Sequence, residues 1–252
     1  MTLRGKVLSF AVLAAFTSCL VAAAGAQASY HQNLIREVHE GNGISTGDYV
    51  ELQAYAAGEN LVAGKHILSY DAGGGAPLTN YTIPSNVANA ANQATILVAA
   101  DASTQGADFV AGNGATGLNV DNTGGTVCYT DSSITVALDC VAFDGVGGAG
   151  VTVPSFSPSQ FGTPFALPGA NLNNQALIRT ISRGCATALD KADDTNSAAD
   201  FTLGAGSPRN NSATPTETPC PVTPVKKKCK KHKKKKSGAY SAKKKCKKKK
   251  HH

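Results

Sequence analysis

The chain contains 252 residues, of which 42% are hydrophobic, 16% are charged and 26 are glycine. This composition excludes a coiled coil or long-helix protein, which would be rich in Glu, Lys and Leu, and it fits poorly with a chain that is disordered throughout. The net charge of +7 divides into +2 in residues 1–28, −11 in residues 29–225 (six basic, seventeen acidic) and +16 in residues 226–252. An acidic body therefore carries a basic tail, and each needs its own explanation.

The first segment, residues 1–28, has the pattern of a secretory signal peptide. Arg4 and Lys6 provide a positive start, an apolar stretch runs from Val7 to Val21, and Ala26-Gln27-Ala28 supplies the small residues of a cleavage site. We therefore expect cleavage after the last of these alanines and a protein that is secreted.

Two other uses of this segment are weighed against cleavage. A permanent membrane anchor is the first, although no arginine or lysine follows the segment before Arg36. A lipid-modified Cys19 is the second, although Phe16 stands where an aliphatic residue is expected. No other stretch reaches the roughly 18 apolar residues of a membrane-spanning helix, so we expect no transmembrane segment after cleavage.

Short β-rich runs separated by Gly, Asn and Pro follow along the body. The run Tyr49 to Tyr55 alternates as a half-buried strand does, whereas Asn86 to Gln93 is the one candidate for a helical turn. The runs expected to form strands are 34–38, 49–55, 66–70, 81–83, 95–98, 126–129, 136–143 and 176–181. Short strands joined by turn clusters predict an all-β sandwich or barrel.

The remaining segments are predicted to lack strands. Residues 144–175 are rich in Gly and Pro, and a connection of this length is often functional or mobile. Residues 213–225 are rich in Thr and Pro and are expected to form an extended linker. The tail, residues 226–252, holds sixteen lysines and has nothing to bury, so it is expected to be disordered.

The cysteines of an exported chain are expected to form disulfides. Six remain after the signal segment: Cys128, Cys140, Cys185, Cys220, Cys229 and Cys246. The most local candidate pair is Cys128 with Cys140, which flank a predicted hairpin. A turn at residues 131–133 would place Cys128 opposite Val136, whereas a turn centred on Ile134 would set the two cysteines face to face. No C-x-x-C spacing occurs, so zinc has little support.

Several runs of the body stand in a recognisable order. They are Leu34–Val38, Asp48–Leu52, Leu61–Leu68, Asn122–Val127, Leu138–Phe143, Ala199–Phe201 and Ser207–Asn210. The second is similar to an Asp–aromatic–aliphatic–Glu–Leu strand, the third to a Leu-x-Gly-Trp element, and the fourth to an Asn-x-Gly strand entry. The last two are similar to a closing Ala-Asp-Phe … Pro-x-x-Asn pattern. In this order, over roughly residues 33–210, the runs resemble the lamin tail domain family.

This resemblance implies an immunoglobulin-like β-sandwich, here assigned to residues 29–212. Lys65 occupies the place of the family's tryptophan, which removes a core anchor. In bacteria the family occurs as a secreted module, and some members accompany extracellular nucleases or hydrolases. The resemblance therefore implies a binding or positioning role.

A catalytic centre would need a convergent set of acid, base, nucleophile or metal ligands. The body's histidines, His31, His39 and His66, belong to no G-x-S-x-G elbow, H-E-x-x-H pair or Cys–His arrangement. Glu51 lies between Val50 and Leu52 on a predicted strand, so its side chain points away from theirs, and we expect a structural hydrogen bond there. The sequence predicts no catalytic residue and no cofactor.

The densest acidic cluster offers weak candidates for calcium. Its oxygen donors are Asp190, Asp193, Asp194, Asn196 and Asp200. Calcium takes six to eight such oxygens, but the EF-hand order is absent and no bidentate glutamate follows. The alternative is a turn whose side chains bond nearby backbone amides, and this alternative is favoured.

The tail is the strongest physical signal in the sequence. A flexible polycation binds polyanions by releasing their counterions, with little discrimination among them. Tyr240 is its only aromatic residue, so base stacking is not its mode. The predicted polyanion-binding residues are Lys226, Lys227, Lys228, Lys230, Lys231, Lys233, Lys234, Lys235, Lys236, Lys243, Lys244, Lys245, Lys247, Lys248, Lys249 and Lys250.

These features together predict a secreted, non-enzymatic binding or structural module at the bacterial cell surface. Its partners would be an anionic envelope polymer, anionic lipid or extracellular DNA. The alternative is an accessory or hydrolytic enzyme that acts on an extracellular polyanion through the 190–200 cluster or His66. Self-association, with the acidic body of one copy meeting the basic tail of another, is electrostatically reasonable and should weaken with salt.

Overall fold

The computed structural model describes residues 30–41, 47–102, 104, 106–112, 117–145 and 161–218. The predicted signal peptide, the lysine tail and all cysteines except Cys128, Cys140 and Cys185 lie outside these ranges. Within the described ranges, no helix has the length and apolar character that crossing a membrane requires.

The described residues form two β-sheets with very little helix. The strands are β1 (Asn33–His39), β2 (Tyr49–Ala54), β3 (His66–Asp71), β4 (Thr79–Thr82), β5 (Thr95–Ala99), β6 (Phe109–Val110), β7 (Gly124–Thr130), β8 (Ala137–Asp144), β9 (Phe165–Ala166), β10 (Ala176–Arg179) and β11 (Phe201–Gly204). A short 3-10 helix (Lys191–Asp193) and the four-residue helix α1 (Ser197–Asp200) stand between the last two strands. Sheet A has the order β11-β10-β1-β2-β5-β6 and sheet B the order β4-β3-β7-β8-β9.

The predicted all-β class is confirmed, and each of the eight predicted runs contains a strand. Three strands were not predicted. β6 and β9 are two residues long and pair in parallel at sheet edges, so neither has enough residues to display an alternation. β11 directly follows α1 and pairs with β10. Asn86 to Gln93, predicted as a possible helical turn, contains no helix.

The main core lies between the inner faces of the two sheets. On β2, Val50 and Leu52 point into this core, whereas Tyr49, Glu51 and Gln53 point to the outer face of sheet A. Strands β5, β7 and β8 contribute alternate residues to the same core, as period-2 patterning requires. The outer-facing residues of β2 are nevertheless buried, so something must cover that face.

The cover on sheet A is the segment 205–218, which we call the strap. Its backbone N–H groups at Ser207 and Arg209 donate to Glu37 and Glu51, and Asn211 donates to Asp108 beside β6. The strap therefore crosses sheet A from β1 to β6. Within the predicted linker 213–225, Glu217 pairs with Arg209 at 2.9 Å, and the N–H of Thr218 donates to the carbonyl of Thr187.

The outer face of sheet B carries a second apolar cluster that contains the predicted disulfide. Cys128 and Cys140 are bonded, with Cα atoms 4.1 Å apart, and are direct partners in the β7–β8 ladder. Ile134 has a positive φ of 57°, which centres the turn as the face-to-face register required. Phe161 packs on this cluster, so the sulfur atoms lie in an apolar layer.

Lys65 stands where the family resemblance led us to expect a tryptophan. It is 7% exposed, and its Nζ lies 3.5 Å from the centroid of the Tyr30 ring. A cation placed over an aromatic face is attracted by the ring quadrupole. The lysine stem therefore covers apolar surface while its charge is held by the ring.

Candidate functional site

The acidic segment 190–200 uses its side chains to build the local backbone. Asp190 accepts hydrogen bonds from the N–H groups of Cys185 and Ala192, at 2.7 Å each, and caps the 3-10 helix. Asp193 accepts from the N–H groups of residues 182, 183 and 190. Asn196 caps α1 by accepting from the N–H of Ala199 at 2.9 Å. These contacts are the amide-bonded turn that the sequence favoured over a calcium site.

The other two acidic members of the segment face arginines. Asp200 accepts from the N–H groups of residues 195 and 196 and pairs with Arg183 at 2.6 Å. Asp194 lies 3.5 Å from Arg179. Within the part of the chain that the structure describes, no group of three or more His, Cys, Asp or Glu side chains is arranged to hold a metal ion.

Arg179 is the centre of this ionic network and lies inside the sandwich. It is 1% exposed, and its Nη2 lies 2.6 Å from Oδ2 of Asp139. Its Nε donates to the carbonyl of Ile35, and its Nη1 donates to the carbonyl of Asp193. Asp139 also accepts from the N–H of Ile35, so one ion pair joins strands of both sheets to the acidic segment.

Burial is the largest influence on the pKa of the two carboxyls beside Arg179, Asp139 and Asp194. It raises the pKa of Asp139, and the adjacent Arg179 guanidinium opposes the rise. Asp194 shows the same direction, because burial raises its pKa and the same guanidinium lowers it. Arg179 therefore keeps the pKa of Asp139 and of Asp194 below the value that burial alone would produce.

A second polar network lies under the strap on the outer face of sheet A. Glu37 and Glu51 are register partners on β1 and β2. Oε1 of Glu37 accepts from the Tyr49 hydroxyl and from the N–H of Ser207. Glu51 accepts from the N–H of Arg209 at 2.6 Å, which agrees with the predicted structural hydrogen bond, and its other oxygen lies 3.3 Å from the same arginine's Nη2.

The strap needs a glycine to reach this network. A Cβ added at Gly206 would collide with the Tyr49 hydroxyl and with Oε1 of Glu37. Burial is the main cause that raises the pKa of Glu51 to about 7, with Glu37 adding to the rise and Arg209 opposing it. The strap is thus held by a carboxyl whose ionisation is costly in the folded state.

Glu51→Gln is expected to remove part of the pH dependence of stability. A carboxyl whose pKa is raised from 4.5 to about 7 on folding keeps its proton in the native state while the unfolded chain loses it, so stability falls as pH rises between these values. Relative to the natural protein, the variant should therefore gain about 2–3 kcal/mol in free energy of unfolding on going from pH 5 to pH 8. Urea unfolding at both pH values measures this difference.

Asp131→Asn is the matched control for that comparison. A hydrogen bond from Ser133 lowers the pKa of Asp131, so this carboxyl is ionised at both pH values. Its effect on stability should be equal at pH 5 and pH 8. A Glu51→Gln effect that is also equal at the two pH values would contradict the assignment.

Each histidine named from the sequence contacts residues close to it in the fold. Nδ1 of His39 lies 2.9 Å from the carbonyl of Gly47, and its ring stacks on Tyr49 with centroids 4.9 Å apart. Nδ1 of His66 lies 2.8 Å from the side-chain oxygen of Asn80 on the neighbouring strand β4. His31 lies beside Tyr30, with ring centroids 4.1 Å apart. These contacts place each ring in a structural or surface setting.

An open groove of about 550 Å³ has Val87 and Phe109 on its walls and Asp108 beside them. A smaller cavity, of about 300 Å³, is lined by acidic and amide side chains that include Asp48 and Asp121. Burial raises the pKa of Asp48 to about 6, against hydrogen bonds from the backbone N–H groups of residues 41 and 120.

Sequence reasoning missed how many carboxylates are internal. Eight of the seventeen acidic residues are buried. Seven of these accept a hydrogen bond from a backbone N–H: Glu37, Asp48, Glu51, Glu59, Asp139, Asp193 and Asp200. Glu37, Glu51 and Asp139 lie within strands. An acidic residue inside a predicted strand was the feature of the sequence that could have indicated a buried carboxylate. Much of the body's negative charge is therefore structural.

Most lysine and arginine side chains of residues 29–225 interact with other groups of the same region. Arg179, Arg183 and Arg209 are ion-paired, and Lys65 lies over a tyrosine ring. Arg36 is partly buried, and burial lowers its pKa. Among the described residues, Lys191 is the only lysine or arginine that is exposed. The sixteen predicted polyanion-binding lysines lie outside the described residues.

Comparison with known proteins adds no assignment. No family model matches the sequence, and no curated protein matches it either.

Proposed function

We propose that the protein is a secreted, non-enzymatic β-sandwich of the lamin tail type that its lysine tail holds on a polyanionic surface. The two-sheet fold and the ordered motifs support the family type. The signal pattern and the Cys128–Cys140 disulfide support export, because disulfides persist in oxidising compartments. The carboxylates of the 190–200 segment are engaged by backbone amides and arginines, which supports a structural role for that segment.

The observation that carries the proposal is the separation of the positive charge. Five of the six basic residues of the body are paired, buried or stacked, while the tail holds sixteen lysines in twenty-seven residues. The net charge of −11 on residues 29–225 would repel a polyanion. Attraction to such a surface therefore belongs to the tail, since each lysine near an anionic lipid surface contributes on the order of 1 kcal/mol before salt screening.

Cell fractionation tests this proposal in the organism that makes the protein. The full-length chain should stay with the cell envelope, whereas a version that ends at Val225 should be released into the medium. Lys191→Gln is the matched control, because it removes the exposed cation of the body and should leave retention unchanged. Equal release of full-length and shortened chains would remove the tail's role.

The partner class is polyanionic, and the test can separate its sources. Washing the envelope fraction with high salt should release the protein in every case. Nuclease treatment should release it only from extracellular DNA, and removal of wall polymer only from that polymer. If none of these treatments releases the protein but detergent does, the tail is not what holds it.

A further inference from the structure

The loop that carries Cys185 is held firmly in place. Cys185 is buried and takes part in a disulfide, and its N–H donates to Asp190 at 2.7 Å. Its Sγ lies 3.3 Å from Oγ1 of Thr187. Cys128 and Cys140 are bonded to each other, so neither is its partner. The exported chain offers Cys220, Cys229 and Cys246.

The end of the strap meets this same loop. The N–H of Thr218 donates to the carbonyl of Thr187 at 3.0 Å, and Oγ1 of Thr187 donates to the carbonyl of Thr218 at 2.9 Å. The hydroxyl that touches the sulfur of Cys185 is therefore the hydroxyl that binds the strap. Thr218 lies only two residues before Cys220 in the sequence.

We infer that Cys185 is bonded to Cys220 and that this disulfide fastens the strap to the body. Two residues span at most about 7 Å, so Cys220 stays within that distance of Thr218 and therefore near the loop that carries Cys185. A disulfide requires a Cα separation of about 4.4–6.8 Å. Cys185 precedes Thr187 by two residues and Cys220 follows Thr218 by two, so an antiparallel continuation of the 187–218 contact would set the two cysteines opposite each other. The prolines on both sides of Cys220 favour an extended backbone.

The covalent step is a two-electron oxidation. Each cysteine loses its thiol hydrogen, a sulfur–sulfur bond forms, and two electrons and two protons pass to a disulfide oxidant of the thiol oxidoreductase class. That oxidant is reduced to a dithiol in the exchange. The bond would close a loop from Cys185 to Cys220 and fix the end of the strap six residues before Lys226, where the lysine tail begins. This inference does not depend on what the tail binds.

A peptide map of the exported full-length protein tests the pairing. Free thiols are alkylated under denaturing conditions, and the unreduced chain is then cut with trypsin. Cleavage after Arg183 and Lys191 places Cys185 in the peptide 184–191, and cleavage after Arg209 and Lys226 places Cys220 in the peptide 210–226. Cys229 and Cys246 each fall in a Cys-Lys dipeptide, so the mass of the linked product distinguishes Cys220 from either of these two cysteines.

The expected product is peptide 184–191 linked to peptide 210–226, which separates on reduction. Cys220→Ser should leave Cys185 open to alkylation, whereas Cys229→Ser, the matched control, should leave the linked pair intact. This readout does not require either variant to be stable. Peptide 184–191 found alkylated in the natural protein, or linked to a Cys-Lys dipeptide, would overturn the inference.

Discussion

Arg179→Met should lower the free energy of unfolding by about 3–5 kcal/mol at pH 8. The substitution keeps a side chain of similar length but leaves Asp139, Asp194 and Asp200 without their common cation. It also removes the hydrogen bonds that the guanidinium donates to the carbonyls of Ile35 and Asp193. Urea unfolding with the disulfides intact measures the loss.

The pH dependence of this loss distinguishes a charge effect from a packing defect. Without the guanidinium, the buried carboxyls should bind protons more tightly, so the loss should be smaller at pH 5 than at pH 8. Arg183→Met is the matched control, because the side chain of Arg183 is 34% exposed and its pairing should contribute about 1 kcal/mol or less. A loss at Arg179 that is the same at both pH values, or no larger than the control, would contradict the assigned role.

Removal of residues 226–252 should abolish binding to duplex DNA and to vesicles that contain anionic lipid. Each lysine that neutralises a phosphate releases counterions, so the logarithm of the binding constant falls with the logarithm of salt concentration at about 0.9 per contact. If about half of the sixteen lysines make contact, affinity should fall by about three orders of magnitude or more between 50 and 200 mM salt. Fluorescence titration of the full chain over this salt range measures the slope.

A graded variant makes the same test quantitative. Replacing the seven lysines of residues 243–250 with glutamine removes nearly half of the tail charge, so the salt slope should fall by a similar fraction. Lys191→Gln should leave the slope unchanged. Binding by the body that ends at Val225, or a slope that the seven replacements do not alter, would assign the contact to the body.

The fold was largely predictable because its strands are encoded locally. Alternation in runs such as 49–55 is a property of consecutive residues, and it places Val50 and Leu52 on one face and Glu51 on the other. The Cys128–Cys140 pair was predictable for the same reason, because a short hairpin leaves only two registers to consider. The two-residue strands β6 and β9 have no such pattern and depend on neighbouring strands.

An acidic, strand-rich region followed by a lysine tail is evident from the amino-acid sequence alone, because charge and alternation are properties of adjacent residues. The roles of the charged residues in residues 29–225 became evident only from their contacts in the folded chain. Arg179 meets Asp139 across 40 positions of the chain, and Arg209 meets Glu51 across 158. A carboxylate can be buried only where folding brings a backbone N–H or an arginine to it. That partner is distant in the sequence, so it cannot be predicted from the neighbouring residues.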